Sequence, residues 1–167
     1  MNVILVANIL LIIGDIVLLA GARFKEKKQI LYIQILSMLI MSLASLLLKG
    51  YSGIVQDVLG IIRNLLSIKG ITGKYLSYLF IVASIVFGIL FNNLGFLGTL
   101  PIIANVSQSL IVMDPKAKAW QIKLVSGLGC LCWGVYDYVI KAYAGAAINV
   151  FTALSYLYHA LKDKKEE

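Results

Sequence analysis

The chain is poor in the side chains that do chemistry. Among its 167 residues there is one histidine, His159, with two cysteines, two prolines and only 14% charged residues. A water-soluble domain of this length carries roughly a quarter charged residues, so a freestanding soluble fold is excluded. One histidine near the end of the last apolar segment and two cysteines in a single segment leave no paired-histidine motif, no metal cluster and no nucleophile beside a base. A Gly-rich phosphate cradle and an ATPase motif are both missing. These gaps argue against an enzyme and call for neither a cofactor nor a metal. Cys130 and Cys132 are two apart, so on a helix their side chains diverge by about 200°. That spacing suits small residues in a packed helix, not a disulfide.

What the chain has instead is apolar length. It is 60% hydrophobic with a mean hydropathy of +0.92. Membrane-length apolar runs follow one another with short polar breaks, and seven crossings of about 20 residues use roughly 140 residues. Almost nothing remains for a soluble domain. The pattern predicts helices over Val3 to Ala20, Ile30 to Leu48, Gly53 to Ile68, Tyr75 to Phe91, Leu94 to Met113, Gln121 to Ile140 and Gly145 to Leu161. The third and seventh are the least hydrophobic and are expected to face a polar cavity.

The net charge of +7 could suggest nucleic acid. The basic residues gather at helix ends instead, where they act as topology signals and contacts for anionic lipid. One side would collect Arg23, Lys25, Lys27, Lys28, Lys69, Lys74, Lys116, Lys118, Lys123, Lys162, Lys164 and Lys165; the other only Lys49 and Lys141. This imbalance predicts an outer amino terminus and a cytoplasmic carboxyl terminus in a bacterial inner membrane. Ala20-Gly21-Ala22 mimics a signal cleavage site. No basic residue precedes the first apolar run, however, Asp15 lies inside it and the basic cluster follows it, so a retained helix is expected.

Shifting the chain by 92 residues lays Lys49-Gly50-Tyr51-Ser52-Gly53 on Lys141-Ala142-Tyr143-Ala144-Gly145. Asp57 then falls on Asn149 and Met41 on Trp133. From Gln29 to Leu65, nine of 37 pairs are identical, where chance in so apolar a chain gives roughly three or four. Helices one to three thus pair with five to seven, and the fourth is a spacer. Three helices per unit plus one spacer restore the same orientation, so the repeats are expected to be parallel. The expected fold is an all-α integral membrane bundle of seven transmembrane helices, arranged 3+1+3: residues 1–70, a linker helix in 71–93, and 94–167 with a short cytoplasmic tail.

This plan resembles the SWEET, SemiSWEET and PnuC transporter superfamily over nearly the whole chain. The resemblance implies that a Trp on the second helix of a unit and an Asn on the third flank the substrate. Trp133 and Asn149 match those places in the second unit. The first unit has Met41 and Asp57 at the same spacing, and the Pro of sugar carriers is absent from it. A symmetric sugar clamp is therefore in doubt. Within the superfamily, the stretch from Asp57 to Arg63-Asn64 and the overall length resemble the small YgjV-type bacterial inner-membrane proteins. Relatives carrying sugars, nicotinamide riboside or thiamine imply a small polar solute and no more.

Candidate site residues follow from helical spacing. Asp57, Gly60, Ile61 and Asn64 share one face of the third helix; Asn149, Thr152, Ala153 and Tyr156 share one face of the seventh. As two walls of a cavity they would offer acceptors from an ionised Asp57 and both donor and acceptor from Asn149. The alternative is that Asp57 and Asn149 bond each other and tie the units together. Trp133 could stack on a flat ligand or simply pack. Asp15 and Arg63 lie at similar depth on neighbouring helices and could form a cytoplasmic gate or a static bridge. Asp137 would be an outer gate or an interfacial group. Pro101, beside Asn105 and Gln108, would kink the fifth helix and provide a hinge. The expected activity is a facilitator or ion-coupled carrier, with Asp57 allowing proton or Na⁺ coupling. A non-transporting scaffold that binds lipid or partner helices is the rival, and a homo-oligomer is compatible with either.

Overall fold

A computed structural model describes residues 3–166. Among them are seven α-helices: α1 (Val3–Gly21), α2 (Lys27–Leu47), α3 (Tyr51–Ile68), α4 (Lys74–Leu90), α5 (Leu100–Val112), α6 (Ala119–Val139) and α7 (Tyr143–Glu166). A single 3-10 turn, Gly95–Thr99, runs into α5. The fifth predicted helix is therefore two pieces. Pro101 stands in the first turn of α5, where its missing N–H leaves no intrahelical bond unmade. It begins a helix and does not bend one, which corrects the expected kink.

The burial pattern is the reverse of a soluble protein's. Tyr75 is 91% exposed, Phe96 80% and Leu90 69%, while Asp15, Arg63 and Lys123 are 0% exposed. Apolar surface outside and charge inside suit a lipid surround. Three segments are long and apolar enough to cross a membrane, Val3–Gly21, Lys27–Leu47 and Gly95–Val112, and Lys74–Leu90 is a shorter apolar helix. The other three fall short for a common reason: α3 carries Gln56, Asp57, Arg63 and Asn64, α6 carries Lys123 and Asp137, and α7 ends in a charged tail. The polar residues named on α3 and α6 are buried, whereas the charged tail of α7 is exposed.

In the packing order, α2 lies between α1 and α3, and α6 between α5 and α7. The sets meet where α1 packs on α7, α3 on α5, and α2 touches α6, while α4 covers α3 and α5. Glycines at Gly127 and Gly134 let α6 and α7 approach until a Cβ there would lie 3.2 Å from Ala153 O and 3.4 Å from Ala146 O.

The loops sort to two ends. Lys27 Nζ donates to Val112 O (2.9 Å) and Asp114 O (3.0 Å), a cation on the carboxyl end of α5. Lys25 pairs with Glu166 at 2.8 Å, and Gly73 N–H donates to Met113 O. The basic loops thus share one end. At the other, Asn93 donates to Lys49 O and Asn8 accepts from Ala144 N–H. There α2 and α6 end alike. Lys49 and Lys141 both have positive φ, 58° and 66°. Gly50 N–H donates to Ser45 O and Ala142 N–H to Asp137 O, both at 2.8 Å. These are left-handed helix stops made by lysine, whose charge suits a carboxyl terminus.

Candidate functional site

Two buried polar regions occupy the interior. The first lies between α3 and α5 and is built on Arg63, which is wholly buried. Its Nε donates to Asn64 Oδ1 (3.1 Å) and its Nη2 to Gln108 Oε1 (2.8 Å). Its Nη1 donates to Asn105 Oδ1, to Asn105 O (3.2 Å) and to Ser109 Oγ (3.3 Å). Asn105 Nδ2 in turn donates to Gln56 Oε1 (2.8 Å), and Asn64 Nδ2 to Gln34 Oε1 (3.1 Å). The guanidinium is held by neutral amides and hydroxyls. The expected Asp15–Arg63 bridge is not made: Arg63 turns toward α5, whereas Asp15 on α1 faces α7, where a Cβ on Gly145 would come within 3.5 Å of its Oδ2. One helix face cannot serve both neighbours.

The second region is a cavity of about 50 Å³ lined by Asp57, Asp137, Asn149, Trp133, Met41, Gln34 and Ser126, among others. It brings together Asp57, Asn149 and Trp133 with Met41, the four positions matched by the 92-residue shift. Asn149 Nδ2 donates to Asp137 Oδ2 at 2.9 Å. The alternative tie between Asn149 and Asp57 is therefore not formed, and Asp57 Oδ2 has no partner. Asp137 is 3% exposed and borders the cavity, so it is not interfacial. Gln34 Nε2 donates to Ser126 Oγ at 2.8 Å where α2 meets α6. Trp133 stands edge-on to Tyr136, ring centres 5.7 Å apart, and the Tyr136 hydroxyl accepts from Gly53 N–H at 3.1 Å.

The remaining candidates lie elsewhere. Asn64 belongs to the Arg63 network. The Tyr156 hydroxyl donates to Leu18 O at 3.0 Å and pins α7 to α1. Thr152 is wholly buried, and its Oγ1 has no partner. Asn149, Thr152 and Tyr156 do share a stripe, but α7 points its lower part at α1 and not into the cavity. Gln34, Gln56 and Ser126 were missed by sequence reasoning. Gln34 and Ser126 are related by the same shift of 92, which was the available signal.

Apolar side chains pack toward both ends of the cavity. Toward the loops of Lys49 and Lys141, Leu11, Met41 and Trp133 pack with Leu48, Ile140 and Tyr136. Beyond them an open depression of about 530 Å³ is lined by Lys49, Lys141 and Asn93. Toward the basic end, Leu18 packs with Ile30, Leu31, Ile122 and Tyr156. Known small-molecule sites run to about 300–1,000 Å³, so a cavity of 50 Å³ holds a few waters or an ion and nothing larger.

An apolar exterior around buried polar groups defines a helical membrane protein. The chain matches the family model of the Imp-YgjV bacterial inner membrane proteins over residues 5–167, and it belongs to that family. No curated protein and no solved structure matches it.

Proposed function

We propose that the protein is a carrier, facilitated or ion-coupled, for a small polar solute such as a vitamin, nucleoside or sugar. The observation that carries this reading is the convergence of Asp57, Asn149 and Trp133 on one internal cavity. Polar groups at that depth are costly in lipid and are kept where a polar species must pass. The solute would sit between α3 and α7 against Trp133, in reach of the acceptors of Asp57 and the amide of Asn149.

Alternating access would come from rocking α1–α3 against α5–α7, with α4 as linker. Three features support a parallel repeat of this kind. Exchanging the triplets turns the α1–α7 contact into the α5–α3 contact. The stops at Lys49 and Lys141 match bond for bond. Gln34 and Ser126, equivalent by the shift, meet each other, as residues on a two-fold axis must. This plan favours membership of the SWEET, SemiSWEET and PnuC superfamily. The crowding of lysines at one end favours an outer amino terminus and a cytoplasmic carboxyl terminus. In that orientation the depression lined by Lys49 and Lys141 is the outer mouth, and the present conformation is occluded.

The small cavity is also what a non-transporting scaffold would show, and flux separates the two. A thermal-shift screen of vitamins, nucleosides and sugars on the purified protein should find a stabilising solute. That solute should then enter proteoliposomes saturably. Asp57→Asn should impair uptake with an unchanged elution profile; wild-type flux in that variant rejects the assigned role, and no saturable flux of any solute leaves the scaffold.

A further inference from the structure

Two tyrosines of the second helix triplet reach into the first, and both are wholly buried. Tyr136 on α6 belongs to the apolar cluster at the Lys49–Lys141 end, and Tyr156 on α7 to the cluster at the basic end. Each is seated in a glycine notch. A Cβ on Gly50 would lie 2.7 Å from the Tyr136 hydroxyl, and one on Gly53 3.0 Å from it. At the other end a Cβ on Gly21 would run into the Tyr156 hydroxyl. Each hydroxyl also meets a backbone group that a helix end leaves without an intrahelical partner. Gly53 N–H, in the first turn of α3, donates to Tyr136 at 3.1 Å; Tyr156 donates to Leu18 O, in the last turn of α1, at 3.0 Å.

The sequence shift indicates that the notch answers the tyrosine. Moving by 92 residues lays Tyr136 on Ala44 and Gly50 on Ala142. Where the tyrosine gives way to alanine the glycine does too, and Ala44 and Ala142 share the apolar cluster of that end. Both tyrosines also touch the cavity wall. Tyr136 stands edge-on to Trp133 and Tyr156 packs with Leu18, and Trp133 and Leu18 both line the cavity. A rigid ring in a fitted notch, held across the triplets through its hydroxyl, has two discrete arrangements: seated or withdrawn.

We propose that Tyr136 and Tyr156 are the two gates of the cavity, an inference that rests on the carrier reading. Withdrawing Tyr136 from Gly50 opens the cavity toward the Lys49–Lys141 end; withdrawing Tyr156 from Gly21 opens it toward the basic end. In the present conformation both are seated. The Gln34–Ser126 contact, where α2 meets α6, is the fulcrum between them. Rocking about it parts one end while pressing the other together, so one gate opens only with the other shut.

The test is the sidedness of thiol labelling, which needs no solute. Cys130 is buried and lines the cavity, and in a Cys132→Ala background it is the only thiol. A membrane-impermeant methanethiosulfonate is applied to right-side-out and to inverted vesicles holding the full-length protein. Gly50→Ala wedges Tyr136 out and should raise labelling of Cys130 about fivefold or more from the Lys49–Lys141 face alone. Gly21→Ala should do the same from the opposite face alone. Adding Tyr136→Phe to Gly50→Ala removes the clashing oxygen and should bring labelling back toward the background value. Should a wedge not fold, Tyr136→Phe and Tyr156→Phe stand in, each raising labelling about threefold from its own face through the lost hydrogen bond. Labelling that rises equally from both faces, rises from one face in both wedges, or stays at background overturns the gates. Saturable solute flux with any of those results sinks the gates and spares the carrier; one-sided labelling without flux of any solute does the opposite.

Discussion

The two polar regions of the interior are built on opposite plans. Around Arg63 a single cation is surrounded by acceptors, and its nitrogens reach Asn64, Asn105, Gln108 and Ser109. Around Asp15, Asp57 and Asp137 the buried groups are carboxyls, and three of their oxygens have no partner. A buried group that is satisfied fixes helices to one another; one that is unsatisfied is a liability unless something binds it. The contrast divides the molecule into a clamp, between α3 and α5, and a receptacle, where α1, α3, α6 and α7 converge. Gln108 stands at the border, its Oε1 accepting from Arg63 Nη2 while it lines the cavity.

The comparison is broken most directly at its centre. Arg63→Ala would strip donors from several buried acceptors at once, and a hydrogen bond to a charged group contributes about 1.5–3 kcal/mol. A loss of about 2–5 kcal/mol is expected from the lost bonds and the cavity left behind, seen as a large fall in Tm or a failure to yield monodisperse protein. If Arg63→Ala melts like wild type, the clamp is not a clamp. Next in size is Gly88→Ala on α4, whose new methyl would lie 2.5 Å from Ile102 Cγ1 and 2.6 Å from Gln56 Nε2. Gln56 Nε2 would be driven off Ser84 O, and overpacking of this kind costs about 1–3 kcal/mol. Differential scanning fluorimetry reads both.

The receptacle should respond with the opposite sign. Asp15→Asn replaces a buried carboxyl that nothing pairs. Tm should stay level or rise by roughly 2–4 °C, equivalent to about 1 kcal/mol. A fall of the size expected for Arg63→Ala would mean that Asp15 has a structural partner. The least effect belongs to the exposed pair Lys25–Glu166. Its hydrogen bond and charge hold the Glu166 carboxyl below its ordinary range and Lys25 above its own. Any stabilisation would therefore be present above the ordinary Glu value, lost as pH falls through the lowered one, and lost again as pH rises through the raised Lys value. Both groups are solvent-exposed, so Glu166→Gln should melt as wild type does between pH 5 and 8.

The helices themselves were largely legible. Each α-helix begins and ends within a few residues of its apolar run, apart from the charged extension of α7 and the 3-10 turn before Pro101. The cavity residues Asp57, Asn149 and Trp133 could be picked out because a fixed shift paired them. Their bonding could not be read that way. Asn149 chose Asp137, twelve residues away on α6, over Asp57; Arg63 chose amides over Asp15. Hydropathy and spacing give a residue's depth and face, but a hydrogen bond needs the rotation of two helices to agree within a fraction of a turn.

Composition and charge placement by themselves determined that this chain is a bundle of membrane helices with its cations gathered at one end. Those properties add residue by residue along the chain, and lipid enforces them locally by leaving no water for an exposed backbone. Packing alone decided which buried polar groups are quenched and which stand open. That outcome depends on how distant helices turn toward one another, and contacts across 40 to 140 residues leave no trace in any local stretch of sequence.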